Sequence, residues 1–209
     1  MKSITGLLTA LLLFFPVPVF AADKFALLIG VTTYEHAQMN RAPLKYPEAD
    51  ATAVAELLEK SGYTVKVLLG KQATQEAIQE ALKQTEGEGT ADGVVLIGMF
   101  GHGVQYGNDA YYGPFDTAVR KVVDFKGIVV RDETGEPKLE PEPTSMISMR
   151  SILDALTVCG AGSKVLLADC LSRNSQCGSR SGVWQQPAER RTTARHGGFV
   201  CVRRKRAGL

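Results

Sequence analysis

One stretch predicts the architecture of this chain most clearly: Gly93-Val94-Val95-Leu96-Ile97-Gly98-Met99-Phe100-Gly101-His102-Gly103. It is an apolar run of strand length, rich in β-branched residues and closed by glycines. Such a run is typical of a strand buried on both faces in the middle of a parallel sheet. The run ends at His102, at the edge of the sheet where ligands and chemistry gather, and the flanking glycines let a ligand approach the backbone closely. His102 is therefore the first candidate functional residue. The alternative is an exposed, idle histidine in a tight turn.

The length and composition indicate one domain. Of the 209 residues, 44% are hydrophobic and 22% are charged, which suffices for a single well-filled core. Residues 1–21 combine a basic start at Lys2, a short leucine- and phenylalanine-rich run, and small residues ending at Ala21. This pattern predicts a secretory signal peptide, since the run is shorter than the roughly 20 residues that a membrane-spanning helix needs. An uncut anchor is the alternative. We expect a secreted or periplasmic protein that has no membrane association after cleavage.

The cysteines do not indicate a disulfide framework or a metal centre. The four cysteines show neither dense clustering nor paired metal-ligand spacing: they are Cys159, Cys170, Cys177 and Cys201. We therefore predict no metal and no cofactor.

Strand and helix patterns alternate along the chain. We predict strands over residues 24–31, 64–69 and 163–169, in addition to the opening stretch, and helices over residues 48–60, 74–84 and 145–159. Crossovers this short imply a parallel sheet with right-handed connections. A small extra strand is predicted over residues 110–112. Residues 116–144 are rich in proline, glycine and acidic residues, and they are predicted to form a long surface insertion without regular elements.

The predicted strand over residues 163–169 ends in Asp169-Cys170, which places a second reactive residue type at a strand end. Because neighbouring parallel strands end at the same edge of a sheet, we expect His102 and Cys170 to meet there. A thiol has an ordinary pKa of about 8.5, and it becomes a good nucleophile when an imidazole can accept its proton. A backbone N–H beside Gly103 could stabilise an oxyanion. The natural reaction is attack on an amide carbonyl, and the alternative is that Cys170 is a buried, inert thiol.

Four motifs in this order resemble the caspase-like peptidases, the caspase and metacaspase superfamily. They are Phe25-Ala26-Leu27-Leu28-Ile29-Gly30-Val31 with Tyr34, Leu44 with Ala49-Asp50-Ala51, Phe100-Gly101-His102-Gly103, and Lys164-Val165-Leu166-Leu167-Ala168-Asp169-Cys170. The resemblance implies an α/β caspase-hemoglobinase fold, a three-layer sandwich with a mainly parallel sheet, here truncated after the fourth core strand. Its catalytic domain would cover residues 22–170.

The resemblance also implies a function and a site. The function is cysteine endopeptidase activity on a protein or peptide substrate. His102 would be the acid/base, Cys170 the nucleophile, Gly103 the oxyanion-hole donor and Asp169 a substrate-binding residue. Asp50 is similar to the family's aspartate in the first helix, which we interpret as structural.

One departure from the family pattern leaves the nucleophile open. The family motif runs Asp, any residue, Cys, whereas Asp169 is followed directly by Cys170 and then by Leu171. If Asp169 is aligned with the family's aspartate, the nucleophile is missing. If Cys170 is aligned instead, the aspartate is one place off. We select Cys170.

Residues 171–209 differ in composition from the rest of the chain. They contain eight arginines and one lysine against one acidic residue, Glu189, and they show no convincing period. A tail that binds nucleic acid or a membrane is one interpretation, but aromatic residues are sparse and we predict no nucleic-acid partner. We favour a reading frame that shifted after the codon of Cys170, so that this irregular basic tail is not a selected sequence.

Two functions of different class remain open. The first is a secreted caspase-like endopeptidase, impaired by its truncated C-terminal part. The second is a non-catalytic α/β binding domain that keeps the scaffold and lacks a working nucleophile.

Overall fold

The computed structural model describes residues 23–107 and 109–172, in which strands and helices alternate. In chain order they are β1 (Lys24–Gly30), α1 (Pro47–Lys60), β2 (Thr64–Leu69), α2 (Gln75–Glu86), β3 (Val94–Tyr106), β4 (Asp109–Tyr112), β5 (Val119–Lys121), β6 (Leu139–Pro141), β7 (Ile147–Ser148), α3 (Met149–Val158) and β8 (Ser163–Ser172). The predicted elements are all present, and their order is the predicted one.

A mainly parallel sheet forms the middle layer. Strand β1 pairs in parallel with β2 on one side and with β3 on the other, and β3 pairs in parallel with β8. Strands β4 and β7 extend the sheet in the antiparallel sense. The prediction of an α/β fold built on a parallel sheet is confirmed.

The helices cover both faces of the sheet and make the outer two layers. Helix α1 packs Ala51 and Ala55 against Leu28 and Phe100 on one face. Helices α2 and α3 lie on the other face, where the fully buried side chains belong to Leu27, Ile29, Ile78, Ile97, Ile152 and Leu156. Burying each such aliphatic side chain contributes about 1.5–3 kcal/mol. The sheet is held from both sides, as a three-layer sandwich requires.

The helices begin where the sequence supplies capping residues. Helix α1 has Pro47 in its first turn, where the missing N–H costs nothing. The Thr74 side chain accepts a hydrogen bond from the Ala77 N–H at 3.2 Å, and the Ser148 side chain accepts one from the Ser151 N–H at 3.0 Å. These bonds satisfy N–H groups that have no partner within their helices.

Two strands are longer than predicted. Strand β3 was expected to end near Gly103, but it continues to Tyr106 because its last residues pair with β4. Strand β8 continues past Asp169 to Ser172, because its partner β3 also continues. His102 therefore lies inside a strand and is not in a turn that follows one.

The prediction that residues 116–144 contain no regular element was wrong. Strands β5 and β6 form an antiparallel ribbon, with Val119 opposite Pro141. The acidic residues that made this segment resemble a loop close its turns, since Asp124 and Asp132 each accept hydrogen bonds from two backbone N–H groups. Three apolar side chains near the first turn are exposed: those of Val123, Phe125 and Ile128.

The predicted signal peptide, residues 1–21, lies outside the described residues, as does the predicted tail from residue 173 onward. Between residues 23 and 172, Asn108 excepted, no helix combines the length and the apolar character needed to cross a membrane.

Candidate active site

His102 lies near the carboxyl end of β3 and is 4% exposed. Its imidazole stacks on the ring of Tyr34, with centroids 5.1 Å apart and planes 23° apart. Its backbone N–H donates a hydrogen bond to the Tyr34 hydroxyl oxygen at 2.7 Å. His102 is therefore a buried, fixed residue, which argues against the exposed and idle histidine.

Cys170 lies on the neighbouring strand β8 and is half-buried. Its thiol donates to the carbonyl oxygen of Met99, with sulfur and oxygen 3.7 Å apart. It packs against the apolar cluster on the side of the sheet that α2 and α3 cover. The thiol of this β8 residue therefore points toward the neighbouring strand β3.

The register of β3 and β8 shows where His102 and Cys170 lie relative to each other along the two paired strands. Gly101 lies opposite Cys170, and His102 lies opposite Leu171. The two strand ends therefore share one edge of the sheet, as predicted, but Cys170 is one register position away from His102. Directly paired residues of parallel strands lie on the same face, and successive residues alternate.

Two glycines of β3 lie beside Cys170 or opposite it in the strand register. A Cβ atom at Gly103 would lie 2.9 Å from the Cys170 Cβ, closer than side chains normally approach. Gly101, directly opposite Cys170 in register, has a φ of 156°, where a side chain is strained. Gly103 therefore leaves room for the Cys170 side chain, and Gly101 leaves room for Tyr34 and Tyr112.

The remaining predicted site residues lie on the elements expected for them. Asp169 is half-buried on β8, opposite Phe100, and the alternation of the strand puts it on the other face from Cys170. Asp50 lies in the first turn of α1, where the helix dipole stabilises a carboxylate. Gly103 follows His102 on β3, where it pairs with Tyr112 of β4 and with Ser172 of β8.

Two buried tyrosines, Tyr34 and Tyr112, make hydrogen bonds with the backbone of β3 near His102. Burial raises the pKa of Tyr34 well above its ordinary value, and the electrostatic influence of Cys170 adds to this, whereas the hydrogen bond from the His102 N–H acts in the opposite direction. Burial likewise raises the pKa of Tyr112. Both phenols therefore keep their protons at neutral pH, and the Tyr112 hydroxyl donates to the Phe100 carbonyl oxygen at 3.1 Å.

Tyr34 was identified in the sequence as part of a motif, and its contact with His102 was not foreseen. The two residues are 68 positions apart, and no periodic pattern relates them. The signal that could have indicated the contact is Gly101. A Cβ atom there would lie 2.9 Å from the Tyr34 hydroxyl oxygen, so the glycine accommodates the phenol.

In residues 23–107 and 109–172, no group of three or more His, Cys, Asp or Glu side chains is arranged to hold a metal ion. A depression of about 280 Å³ is lined by Lys24, Thr64 and Glu88, at the amino-terminal ends of β1 and β2. It lies at the opposite end of the sheet from His102, and so it takes no part in the chemistry considered for that residue.

Comparison with solved structures gives similarities of low sequence identity. Protein GSU0716 from Geobacter sulfurreducens is 20% identical, with a TM-score of 0.46, and the alignment covers 71% of this chain and 50% of that one. The Drosophila initiator caspase Dronc is 13% identical, with a TM-score of 0.46, and the alignment covers 69% of this chain and 47% of that one. The chain thus spans about half the length of these two proteins. No match was found among functionally curated proteins.

Comparison with protein families gives a match over most of the chain. The caspase-domain family model, Peptidase C14, matches residues 23–190, which includes both His102 and Cys170 and extends 20 residues beyond the latter. The four sequence motifs, the three-layer α/β fold and this match agree, and the chain belongs to the caspase-domain family of peptidases.

Proposed function

We propose that this protein is a caspase-like cysteine endopeptidase that hydrolyses peptide bonds of protein or peptide substrates through His102 and Cys170. The observation that carries the proposal is the parallel pairing of β3 with β8, which brings residues 101–103 beside residues 170–172. Membership of the caspase-domain family supports the same chemistry.

The proposed reaction assigns one role to each residue. His102 accepts the thiol proton of Cys170, and the resulting thiolate attacks the scissile carbonyl carbon. The backbone N–H of Gly103 donates to the oxyanion that forms. His102 then returns the proton to the leaving amine, and water hydrolyses the acyl-enzyme. Asp169 is proposed to contact a basic side chain of the substrate, as an opposite charge would favour.

The register supports a second candidate function. Leu171, and not Cys170, is the residue opposite His102, and a strand places successive residues on alternate faces. Because Cys170 is off the register position of His102, the chain could act as a non-catalytic caspase-like binding domain. The two functions differ in whether Cys170 can reach the imidazole.

Hydrolysis of short peptides with Arg, Lys or Asp before the scissile bond tests the proposal. We expect the wild-type protein to hydrolyse at least one of them, and Cys170→Ser and His102→Ala each to lower kcat/KM by at least about 100-fold. Cys159→Ser is the matched control, since Cys159 is a buried thiol at the end of α3 that donates to the Leu156 carbonyl. It should leave the rate unchanged.

A register variant separates the two functions. The double substitution Cys170→Ala with Leu171→Cys moves the thiol to the position opposite His102. If Cys170 is the nucleophile, this variant should be as inactive as Cys170→Ser. An inactive wild type together with an active double variant would contradict the proposal and favour the binding domain.

Export is also proposed, on the strength of the pattern in residues 1–21. N-terminal sequencing of the protein recovered from an exporting bacterial host should give a mature chain that begins at Ala22. A cytoplasmic protein that retains Met1 would contradict export and leave the peptidase proposal unaffected.

A further inference from the structure

Tyr34 is held firmly just beyond β1. The residue is 2% exposed, and its backbone is bound twice by one side chain. The Tyr34 N–H donates to the Asn40 side-chain oxygen at 2.8 Å, and the Asn40 amide nitrogen donates back to the Tyr34 carbonyl oxygen at 2.8 Å. This two-bond bridge ties down the backbone of Tyr34, and the side chain is packed in the core.

Tyr34 contacts His102 through two different parts of its side chain. The hydroxyl oxygen accepts the His102 backbone N–H at 2.7 Å, and the ring stacks against the imidazole at 5.1 Å between centroids. The hydrogen bond fixes the backbone from which the imidazole extends, and the stack restricts rotation of the imidazole itself. One side chain therefore contacts both the backbone at His102 and its imidazole ring.

Gly101 is the feature that admits Tyr34 to this position. A Cβ atom at position 101 would lie 2.9 Å from the Tyr34 hydroxyl oxygen and 3.2 Å from the Tyr112 ring. The sequence alone suggested that this glycine lets a ligand approach. The contacts indicate that it also makes room for the phenol that holds the histidine.

We propose that Tyr34 is a positioning residue for His102, and that it holds the imidazole in the orientation in which it exchanges a proton with the nucleophile. The inference rests on the proposed role of His102 as acid/base. Tyr34 does not touch the substrate in this scheme, and it acts through His102. Because misplacement of a catalytic group by about 1 Å can cost 100-fold in rate, a residue that fixes the imidazole contributes to kcat.

The pair Tyr34→Phe and Tyr112→Phe tests this inference. Each substitution removes one hydroxyl from a buried tyrosine and keeps the ring. The hydrogen bond lost in Tyr34→Phe is the one from the His102 N–H, whereas the bond lost in Tyr112→Phe is the one to the Phe100 carbonyl oxygen. Tyr34→Phe should lower kcat by about tenfold to 100-fold with KM unchanged, while Tyr112→Phe should stay within about twofold of wild type. Equal losses of kcat in the two variants would overturn the inference.

A second readout does not depend on hydrolysis. The nuclear Overhauser contact between the His102 imidazole and the ring at position 34 should be present in wild type and in Tyr112→Phe, and weakened in Tyr34→Phe. An inactive wild type that shows this pattern would contradict the peptidase proposal and support the positioning of His102 by Tyr34. An unchanged contact in Tyr34→Phe would show that the hydroxyl does not position the imidazole, whatever the activity.

Discussion

At the scale of single residues, Gly101 connects the histidine, the cysteine and the two tyrosines. Its φ of 156° and the 2.9 Å approach of the Tyr34 hydroxyl both exclude a side chain. Gly101→Ala should therefore lower the free energy of unfolding by about 1–3 kcal/mol, as overpacking of a filled site does. Urea unfolding measures this. Gly87→Ala is the control, because Gly87 has an ordinary helical φ and its nearest contact would be 3.5 Å away. Equal effects in both variants would contradict the crowding at Gly101.

The sequence indicated which residues are candidates for the site, but it did not indicate all of the contacts that they make. His102 and Cys170 stood out because each follows a buried run at a strand end, and both strand ends do lie at one edge of the sheet. The stack of Tyr34 on His102 was not predictable, because contacts between distant segments depend on how the loop after β1 folds back. The register offset of Cys170 depends on the pairing of two strands, and the composition of either strand does not determine it.

At the scale of elements, the helix caps were predictable because capping is a local interaction. Thr74 caps α2, and Asp116 from the insertion accepts a further hydrogen bond from the Gln75 N–H at 2.8 Å.

Thr74→Ala should lower the free energy of unfolding by about 1 kcal/mol. Thermal or urea unfolding checks this, with Thr52→Ala as control, because Thr52 is exposed within α1 and donates its hydroxyl to the Glu48 carbonyl. A loss no larger than that of Thr52→Ala would show that the Thr74 cap does not contribute.

The ribbon of β5 and β6 was missed because its turns carry the residues that mark loops. The ribbon is joined to β3 by Tyr106, whose hydroxyl donates to the Pro141 carbonyl oxygen, and the Arg120 guanidinium lies 6.0 Å from the centre of the Tyr106 ring. Such tertiary contacts order a segment whose composition favours irregular structure.

The ionisation of Tyr106 tests this attachment. Burial, followed by the charge of Glu140, raises the pKa of Tyr106 to about 12 from an ordinary value of 10.0. A raised phenol pKa means that Tyr106 keeps its proton to a higher pH in the folded state than in the unfolded state. The contribution of Tyr106 to stability is therefore complete below pH 10 and is lost as the pH rises to about 12. In a titration of the wild type, one tyrosine ¹³Cζ resonance should have a midpoint at a pH of about 12. That resonance should be absent from the spectrum of Tyr106→Phe. A Tyr106 midpoint near the ordinary value would contradict the described attachment.

At the scale of the whole molecule, the parallel sheet was predictable because β1, β3 and β8 contain apolar runs, β2 alternates in part, and helix-length segments separate the strands. Long apolar runs of this kind need cover on both faces, and α1 on one face with α2 and α3 on the other supply it. The antiparallel additions β4 and β7 are short, and of them the sequence indicated β4. The arrangement places the ends of β3 and β8 together, and the proposed chemistry depends on that placement.

The central claim is that the imidazole of His102 activates the thiol of Cys170 across the two strands. The most direct measurement is the rate at which iodoacetamide alkylates Cys170 at pH 7, followed by mass spectrometry of the peptide that contains it, in wild type and in His102→Ala. We expect the His102→Ala rate to be lower by at least about tenfold, with Tyr112→Phe as a folded control at the wild-type rate. Equal alkylation rates in wild type and His102→Ala would contradict the claim.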